Sequence, residues 1–385
     1  MKYEVFWKNP SYKIRKELKE DIQCDYLIVG GGVTGVSLAY FLNKLGAKNI
    51  VLIERDFIAS GATGKAAGTL VVRGEDDLND LLVKHEKEKA KKFWFEIYET
   101  LQKMYELIKK EKIDCEAEPQ DTLYCSKKHY FDKYLKKEYV QEKSLDEKAK
   151  LLQGEELKKE LNSPIYTHGI LSKNHGLSVN PLKFTQNLSK ILDKIGIKIY
   201  EKTNFLGFKK NIAKTQKGKI KFKKIILAID KEHPASEVQN EKTTIVITRT
   251  LNKEELIKTG LTRKKIIWDP KRSYDYFKVT EENKLLVGFG RTIVHKKHKI
   301  NDPHFPHLQH IKLYIKKLFP YLNLPIEYVW SAGFGITENR ETLIEFDKNF
   351  SSIAGAGTQP GCFLAAKYVA ERLINGKSSL DYYFK

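Results

Sequence analysis

The sequence predicts an α/β protein with two lobes, one built on a β-α-β unit and the other on an antiparallel sheet. A short apolar strand at 26–30 leads into a glycine-rich turn, and 36–45 carries apolar residues at helical spacing before a second strand at 49–54. Residues 243–294 are rich in β-branched and aromatic residues at strand spacing. A chain of 385 residues is long enough for two such lobes.

The turn between that strand and helix reads Gly30-Gly31-Gly32-Val33-Thr34-Gly35, the G-x-G-x-x-G pattern of Rossmann-type dinucleotide sites. Its glycines permit a tight turn, let a pyrophosphate approach the backbone and bring the helix against the strand. Glu54 ends the second strand, where a carboxylate can accept both ribose hydroxyls and would repel a 2'-phosphate. The unit therefore predicts a dinucleotide site that disfavours NADP.

Residues 60–69 are small almost throughout, which allows an extended ligand to lie close to the backbone. With the glycine turn, this stretch resembles the D-amino-acid-oxidase-like family of flavoproteins, in which a G-A-S-G-R-N-x-G element lines the isoalloxazine. Thr63 and Lys65 stand for its serine and arginine. Residues 176–181 resemble the family's G-x-V-N-P segment, and the strand that ends A-T-G in the family ends here on Asp230.

Three more segments resemble the gamma-glutamylputrescine oxidoreductase and glycine-oxidase-like members of the family: Phe6-Trp7, 274–278 and 286–290. The resemblance implies a glutathione-reductase-like, three-layer FAD-binding domain with an inserted α+β substrate domain. We expect the FAD-binding domain to comprise 22–75, 168–233 and 328–385, and the substrate domain to comprise 76–167 and 234–327.

The cofactor that the resemblance implies is FAD. The last glycine loop of the family corresponds to 353–362, and the positive end of the helix that follows suits the anion of a reduced flavin. Cys362 in this loop is either a small buried residue or a covalent attachment point for flavin, a link that some relatives use. The residues expected to contact FAD are Gly30, Gly32, Val33, Thr34, Gly35, Glu54, Arg55, Ala62, Thr63, Lys65, Ala66, Ala67, Gly68, Thr69, Phe205, Ala228, Gly333, Gly357, Gly361 and Cys362.

The resemblance also implies an enzyme that oxidises the C–H bond beside an amine nitrogen and passes hydride to flavin N5. The protein then mainly has to position a neutral amine, and no general base is required. The arginine of the family's carboxylate-binding G-L-R-P segment is absent from 333–336, which favours an amine over a simple α-amino acid, although Arg291 or Arg340 could replace it. The candidate catalytic residues are Tyr274, Tyr276, Lys65 and Arg291. Core or sheet packing is the alternative role of the two tyrosines, and a surface ion pair is the alternative role of Arg291.

The composition predicts a globular chain without a transmembrane segment, since no apolar run approaches ~20 residues. A charged N-terminal stretch without an apolar core predicts no signal peptide and therefore a cytoplasmic protein. Four scattered cysteines indicate neither a disulfide nor a zinc site. No metal is expected either at a loose histidine cluster, which lacks regular ligand spacing and comprises His295, His298, His304, His307 and His310.

The formal net charge of +20 comes largely from lysines that alternate with glutamates along helices, which favours a solvated surface. Such charge also suits an anionic partner, so nucleic acid is a possible but not a favoured partner. Three functions stay open: oxidation of a small amine or amino acid, oxidation of an amine carried on tRNA, and a non-catalytic FAD-binding subunit of a larger complex. Oxygen, a quinone and a protein are equally open as electron acceptors.

Overall fold

The computed structural model describes residues 1–72, 76–145, 148–235, 237–270, 274–294 and 304–384. The strands in chain order are β1 (Ile22–Val29), β2 (Ile50–Ile53), β3 (Thr69–Val71), β4 (Glu118–Ser126), β5 (Lys150–Gln153), β6 (His168–Ser178), β7 (Lys198–Tyr200), β8 (Phe205–Lys209), β9 (Ile212–Thr215), β10 (Lys219–Leu227), β11 (Val238–Thr250), β12 (Lys265–Trp268), β13 (Asp275–Val279), β14 (Lys284–Ile293), β15 (Ile326–Thr337), β16 (Leu343–Phe346) and β17 (Phe350–Ala354). The helices are α1 (Val33–Lys44), α2 (Ala62–Lys65), α3 (Leu78–Lys84), α4 (Lys87–Lys110), α5 (Lys128–Tyr130), α6 (Lys136–Leu145), α7 (Gly154–Glu160), α8 (Pro181–Lys194), α9 (Lys253–Thr259), α10 (Phe305–Leu318) and α11 (Gln359–Asn375), with a π-helical turn at Phe131–Leu135 and a 3-10 turn at Asp230–Glu232.

The first sheet has the strand order β16-β17-β10-β1-β2-β7. Its strands from β17 to β7 run parallel, while β16 pairs antiparallel at one edge and β9 pairs antiparallel with β10. In register, Val29 lies beside both Ile53 and Leu227, so three strands reach their carboxyl ends at the same edge. Ligands of parallel α/β sheets bind at that edge, because the loops that follow the strands converge there.

Both faces of the first sheet are covered, which explains why β2 is apolar at every position. Because successive side chains of a strand point to opposite faces, Ile28 and Leu52 pack with helices α1, α8 and α11, whereas Leu27 and Val51 pack with Leu18, Phe222 and other apolar residues on the opposite face. The sheet is therefore the middle layer of three, as the resemblance implied.

The second sheet has the strand order β15-β11-β14-β13-β12-β4-β6-β3, with β5 added on β6. Its pairings are antiparallel except for β12 with β4. Helix α10 packs on it through an apolar cluster that includes Leu308, Ile311, Val246 and Phe277. The antiparallel sheet predicted from 243–294 is confirmed by β11 to β14.

The expected domain bounds remain a prediction, and the strand pairing can be compared with them. Strands β3, β6 and most of β15 lie in ranges assigned above to the FAD-binding domain, yet they hydrogen-bond within the second sheet. Local sequence pattern sets where a strand forms, whereas its partner is set by contacts with distant segments.

The excess of lysine lies at the surface, where several side chains pair with glutamate, as Lys103 does with Glu99 and Lys158 with Glu155. Lys214, Lys219 and Lys221 are exposed on β9 and β10. Within the described ranges, we find no helix with both the length and the apolar character needed to cross a bilayer.

Candidate cofactor and substrate cavity

A cavity of about 1350 Å³ is lined by residues of both sheets. One end is formed by the glycine turn after β1 and by the residues that follow β2 and β10. The other end is formed by aromatic side chains of the second sheet. The segment 60–69 and the loop between β17 and α11 complete the wall between these ends.

The glycine turn is tight enough that only glycine fits at two of its positions. Gly30 has a φ of +114°, and a Cβ there would overlap the backbone oxygen of Ala228. A Cβ on Gly35 would likewise overlap the Gly30 carbonyl oxygen. The close approach of α1 to β1 therefore places the helix N-terminus against the cavity, where its backbone amides and dipole favour a phosphate.

The carboxylate of Glu54 is held in place by the backbone at the end of β2. The Gly31 amide donates to its Oε2 at 2.7 Å, and the Asp56 amide donates to its Oε1 at 2.9 Å. Burial raises the pKa of Glu54, although these two amides oppose the shift. Each carboxylate oxygen keeps a further lone pair for a ribose hydroxyl.

The segment 60–69 lies directly against the glycine turn. The Val33 amide donates to Thr63 Oγ1 at 3.1 Å, which joins the start of α1 to α2. Gly68 adopts a φ of +66°, and a Cβ there would overlap the Val179 carbonyl oxygen. The sequence suggested only that the glycine turn and the segment 60–69 belong to one site. In the structure they form one continuous side of the cavity.

The loop before α11 brings an amide side chain to the cavity that sequence reasoning missed as a site residue. Thr358 caps the helix, and its hydroxyl accepts from the Gly361 amide at 3.2 Å. Gln359 follows and lines the cavity. Among the described residues, neither Nε2 nor Oε1 of Gln359 has a hydrogen-bond partner, although both atoms are buried. The available sequence signal was a polar side chain within 353–362, the segment that corresponds to the family's last glycine loop.

The aromatic end of the cavity contains both predicted tyrosines. Tyr276 and Tyr274 have ring centroids 5.7 Å apart, and Trp268 lines the same end. Burial raises the pKa of Tyr276, with the neighbouring Tyr274 contributing, so its hydroxyl stays protonated. Its ring lies over Gly288, its partner across β13 and β14.

Arg291 also lines this end, close to the position where the family arginine is absent. Its guanidinium lies 5.5 Å from the ring centroid of Phe334, and its Nε is 3.4 Å from a Glu241 carboxylate oxygen. Gly335, which stands at the position of the missing arginine, lines the cavity. Arg340 lines the cavity as well.

Asp230, the residue that replaces the family glycine, takes the conformation that glycine would favour. Its φ is +47°, in the left-handed region. Its carboxylate accepts from the Gly335 amide at 3.0 Å and also from the amides of Lys231 and Gly355. Burial raises its pKa. The side chain thus ties together the ends of β10, β15 and β17 beside the cavity.

Most of the residues expected to contact FAD line this cavity. Those that do are Gly30, Gly32, Val33, Thr34, Glu54, Arg55, Ala62, Thr63, Ala66, Ala67, Gly68, Thr69, Phe205, Ala228, Gly357 and Cys362. Four others stand outside its lining, namely Gly35, Lys65, Gly333 and Gly361. Lys65 is half-buried, and burial together with the charge of Lys231 lowers its pKa.

The histidines do not form a site in the described part of the chain. His304, His307 and His310 lie at the start of and along α10, and burial lowers the pKa of His307 to about 4. His310 lies 2.8 Å from a carboxylate oxygen of Asp275. Within the described ranges no group of three or more ligating side chains is close enough to hold a metal ion. His295 and His298 lie outside the described residues.

The residues around the cavity fit an FAD molecule. Gly30 and Gly35 form a cradle that a Cβ would fill, at a helix N-terminus suited to a diphosphate. Glu54 offers acceptors for a ribose. The unpartnered Gln359 offers both a donor and an acceptor, as the edge of a flavin requires.

Comparison with known proteins agrees with this geometry. The chain matches the family described as FAD dependent oxidoreductase, DAO, over residues 25–372. Gamma-glutamylputrescine oxidoreductase of Escherichia coli is 26% identical over 381 residues, which cover 94% of this chain and 87% of that protein.

Two solved structures show the same fold. L-proline dehydrogenase from P. horikoshii has a TM-score of 0.76 at 19% identity, with 95% of this chain and 96% of that chain covered. Glycine oxidase from Geobacillus kaustophilus has a TM-score of 0.76 at 18% identity, with coverages of 93% and 96%. The family match spans most of the sequence, and it confirms the predicted fold and FAD as the cofactor. The chain belongs to the FAD-dependent oxidoreductase family.

Proposed function

We propose that this enzyme oxidises the C–H bond beside the nitrogen of an amine or amino acid at the aromatic end of the cavity. When bound, FAD supplies the hydride acceptor at flavin N5. The observation that carries the proposal is that the glycine turn, the segment 60–69 and the loop before α11 line the same cavity as Tyr274, Tyr276 and Arg291. Cofactor and substrate can therefore meet in one cavity.

The chain's own task is to hold the amine in a fixed orientation. Tyr274, Tyr276 and Trp268 provide flat apolar walls, and their π faces attract an amine that arrives as a cation. The cavity is open to solvent, so the cation can give its proton to water before oxidation, which would leave the neutral amine against these walls. Positioning of this kind can supply a large share of the rate enhancement without a general base.

Arg291 supports an amine that also carries a carboxylate away from the oxidised carbon. Its guanidinium fork can bind such a group in a bidentate manner. The name of the Escherichia coli relative points to γ-glutamylputrescine as the substrate of that protein. We therefore place amines with a remote carboxylate first among the substrates to test.

The direct test is anaerobic mixing of the purified holoenzyme with a panel of amines while the visible flavin absorbance is followed. Bleaching by one class of amine is the expected result, and no bleaching by any amine or amino acid would refute the proposal. Y276L removes the aromatic ring and should slow bleaching. Y314L is a matched control, because Tyr314 is buried in α10 and bonds Tyr166 away from the cavity.

A second candidate function is oxidation of an amine carried on tRNA. It is favoured by the net charge of +20 and by the exposed lysines on β9 and β10. Retention of tRNA that falls steeply with salt, together with flavin bleaching by tRNA but not by free amines, would select this function. The third alternative, a non-catalytic FAD-binding subunit, requires that neither substrate class bleaches the flavin.

The electron acceptor and the cellular compartment of the enzyme can each be tested by experiment. Mixing the reduced enzyme with oxygen, a quinone or a candidate partner protein identifies the acceptor as the one that restores flavin absorbance fastest. Cys24, Cys115 and Cys125 are buried free thiols, which supports a reducing compartment such as the cytoplasm. Cell fractionation tests this location.

A further inference from the structure

Three side chains from distant parts of the chain donate to carbonyls of one short segment of the cavity wall. Trp330 Nε1 donates to the Lys65 oxygen at 2.8 Å, and Trp7 Nε1 donates to the Ala66 oxygen at 2.7 Å. Lys278 Nζ donates to the Gly68 oxygen at 2.8 Å. The segment 65–68 is thus held in place by Trp7 near the N-terminus, by Lys278 of β13 and by Trp330 of β15.

The three donors are buried. Trp7 and Trp330 are each 4% exposed and Lys278 is 2% exposed. Burying a lysine is costly unless its donors are used, and burial lowers the pKa of Lys278 to about 7. Besides the Gly68 oxygen, its Nζ donates to Ser178 Oγ at 2.5 Å, and it lies 5.7 Å from the ring centroid of Trp7.

Trp7 and Lys278 lie on the side of the segment that faces away from the large cavity. They line a separate cavity of about 250 Å³ and are absent from the lining of the large one, which Ala66, Ala67 and Gly68 help to form. In a trans peptide the C=O of one residue and the N–H of the next point in opposite directions. The Ala67 amide therefore points away from Trp7.

The Ala67 amide is available to a ligand. In the part of the chain that the structure describes, the amides of Ala67 and Gly68 donate to no protein atom, whereas the Ala66 amide donates to the Thr63 oxygen. An amide buried without an acceptor costs free energy. A ligand acceptor in the large cavity would remove that cost.

We propose that Trp7, Lys278 and Trp330 are positioning residues that fix the peptide planes of 65–68, so that the Ala67 amide is presented to the bound flavin and sets its affinity and midpoint potential. The proposal rests on FAD binding by the family and does not require that amines be the substrate. It also gives a role to two residues that are absent from the lining of the large cavity, Trp7 of the Phe6-Trp7 motif and Lys278 of β13.

The test uses the holoenzyme variants W7F, W330F and K278M. Each removes one donor, and each should weaken FAD binding roughly three- to tenfold, the effect of losing one hydrogen bond. The midpoint potential should shift to more negative values, because a donor near the reduced flavin is displaced. Reductive titration with dithionite against a reference dye measures the potential, and FAD release measures the affinity.

Matched variants separate positioning from simple destabilisation. W94F removes an equally buried indole in α4 that lines neither cavity, so it should lower stability without moving the potential. K278R keeps a donor and should restore much of what K278M loses. A wild-type potential and FAD affinity in W7F and W330F would overturn the proposal, and these two variants decide the matter if K278M does not fold. If no amine bleaches the wild-type flavin, the proposed function fails while this test still gives its answer.

Discussion

The ring of Tyr276 occupies the space that a side chain at Gly288 would need. The two residues are partners across β13 and β14, and a Cβ at 288 would overlap the ring and hydroxyl of the tyrosine. A glycine in the middle of a strand weakens the sheet and often marks close approach of another group. Here it lets an aromatic side chain lie flat at the aromatic end of the cavity.

G288A should therefore push the Tyr276 ring into the cavity. We expect KM for the amine to rise and kcat to fall, with FAD content unchanged, because the displaced ring narrows only the substrate end. Steady-state kinetics and flavin content measure the effect. In a Y276A background the added methyl group has no ring to displace, so a full G288A effect in that background would contradict the relationship.

Removal of the Gln359 amide should weaken FAD binding. Both polar atoms of this side chain are buried without a partner in the described chain, and the side chain lines the cavity that we propose holds FAD. Q359L keeps the volume and removes the hydrogen bonds, so FAD affinity should fall about fivefold, equivalent to about 1 kcal/mol. Q153L, at an exposed glutamine of β5, should leave the affinity unchanged. Equal affinities in the two variants would assign Gln359 no role.

Lys278 should make stability depend on pH above neutrality. Its pKa is about 7 in the folded protein and about 10.4 when unfolded, so between these values the unfolded chain binds the extra proton and stability rises with pH. The slope from this group reaches about 1.4 kcal/mol per pH unit, and below pH 7 the full penalty is present. Denaturant unfolding of wild type and K278M across this range measures it. K278M should have the flatter profile, K221M, at an exposed lysine, should behave as wild type, and parallel profiles for wild type and K278M would contradict the assignment.

Arg291 should discriminate between amines with and without a remote carboxylate. R291M should raise KM roughly ten- to hundredfold for carboxylate-bearing amines, since hydrogen bonds to charged groups contribute about 1.5–3 kcal/mol. KM for simple amines should change little. R249M, which breaks a surface pair with Glu255, is the matched control. A uniform loss of activity on both substrate classes would show that Arg291 acts only through its packing on Phe334 and its pair with Glu241.

The sequence alone was enough to predict a dinucleotide site, because its elements are local, and the family resemblance then indicated FAD as the cofactor. The glycine turn needs three residues within one strand-helix junction, and Glu54 lies at the end of the next strand. The small residues of 60–69 likewise indicate that a ligand can lie close to the backbone. Such features depend on short spacing along the chain, which periodicity and residue size reveal.

Tertiary structure determines which side chains hold these elements in place and which side chains line the proposed substrate site. Trp7 and Trp330 reach the same loop from opposite ends of the chain, and Tyr276 fits only because Gly288 lies across the sheet. The pairing of β6 and β15 in the second sheet and the burial of the Gln359 amide arise in the same way. These relationships join segments far apart in sequence, and their free energy comes from packing and hydrogen bonds that exist only once the chain has closed on itself. The sequence elements that indicate the cofactor are therefore local, whereas the geometry that would select a substrate depends on the complete tertiary structure.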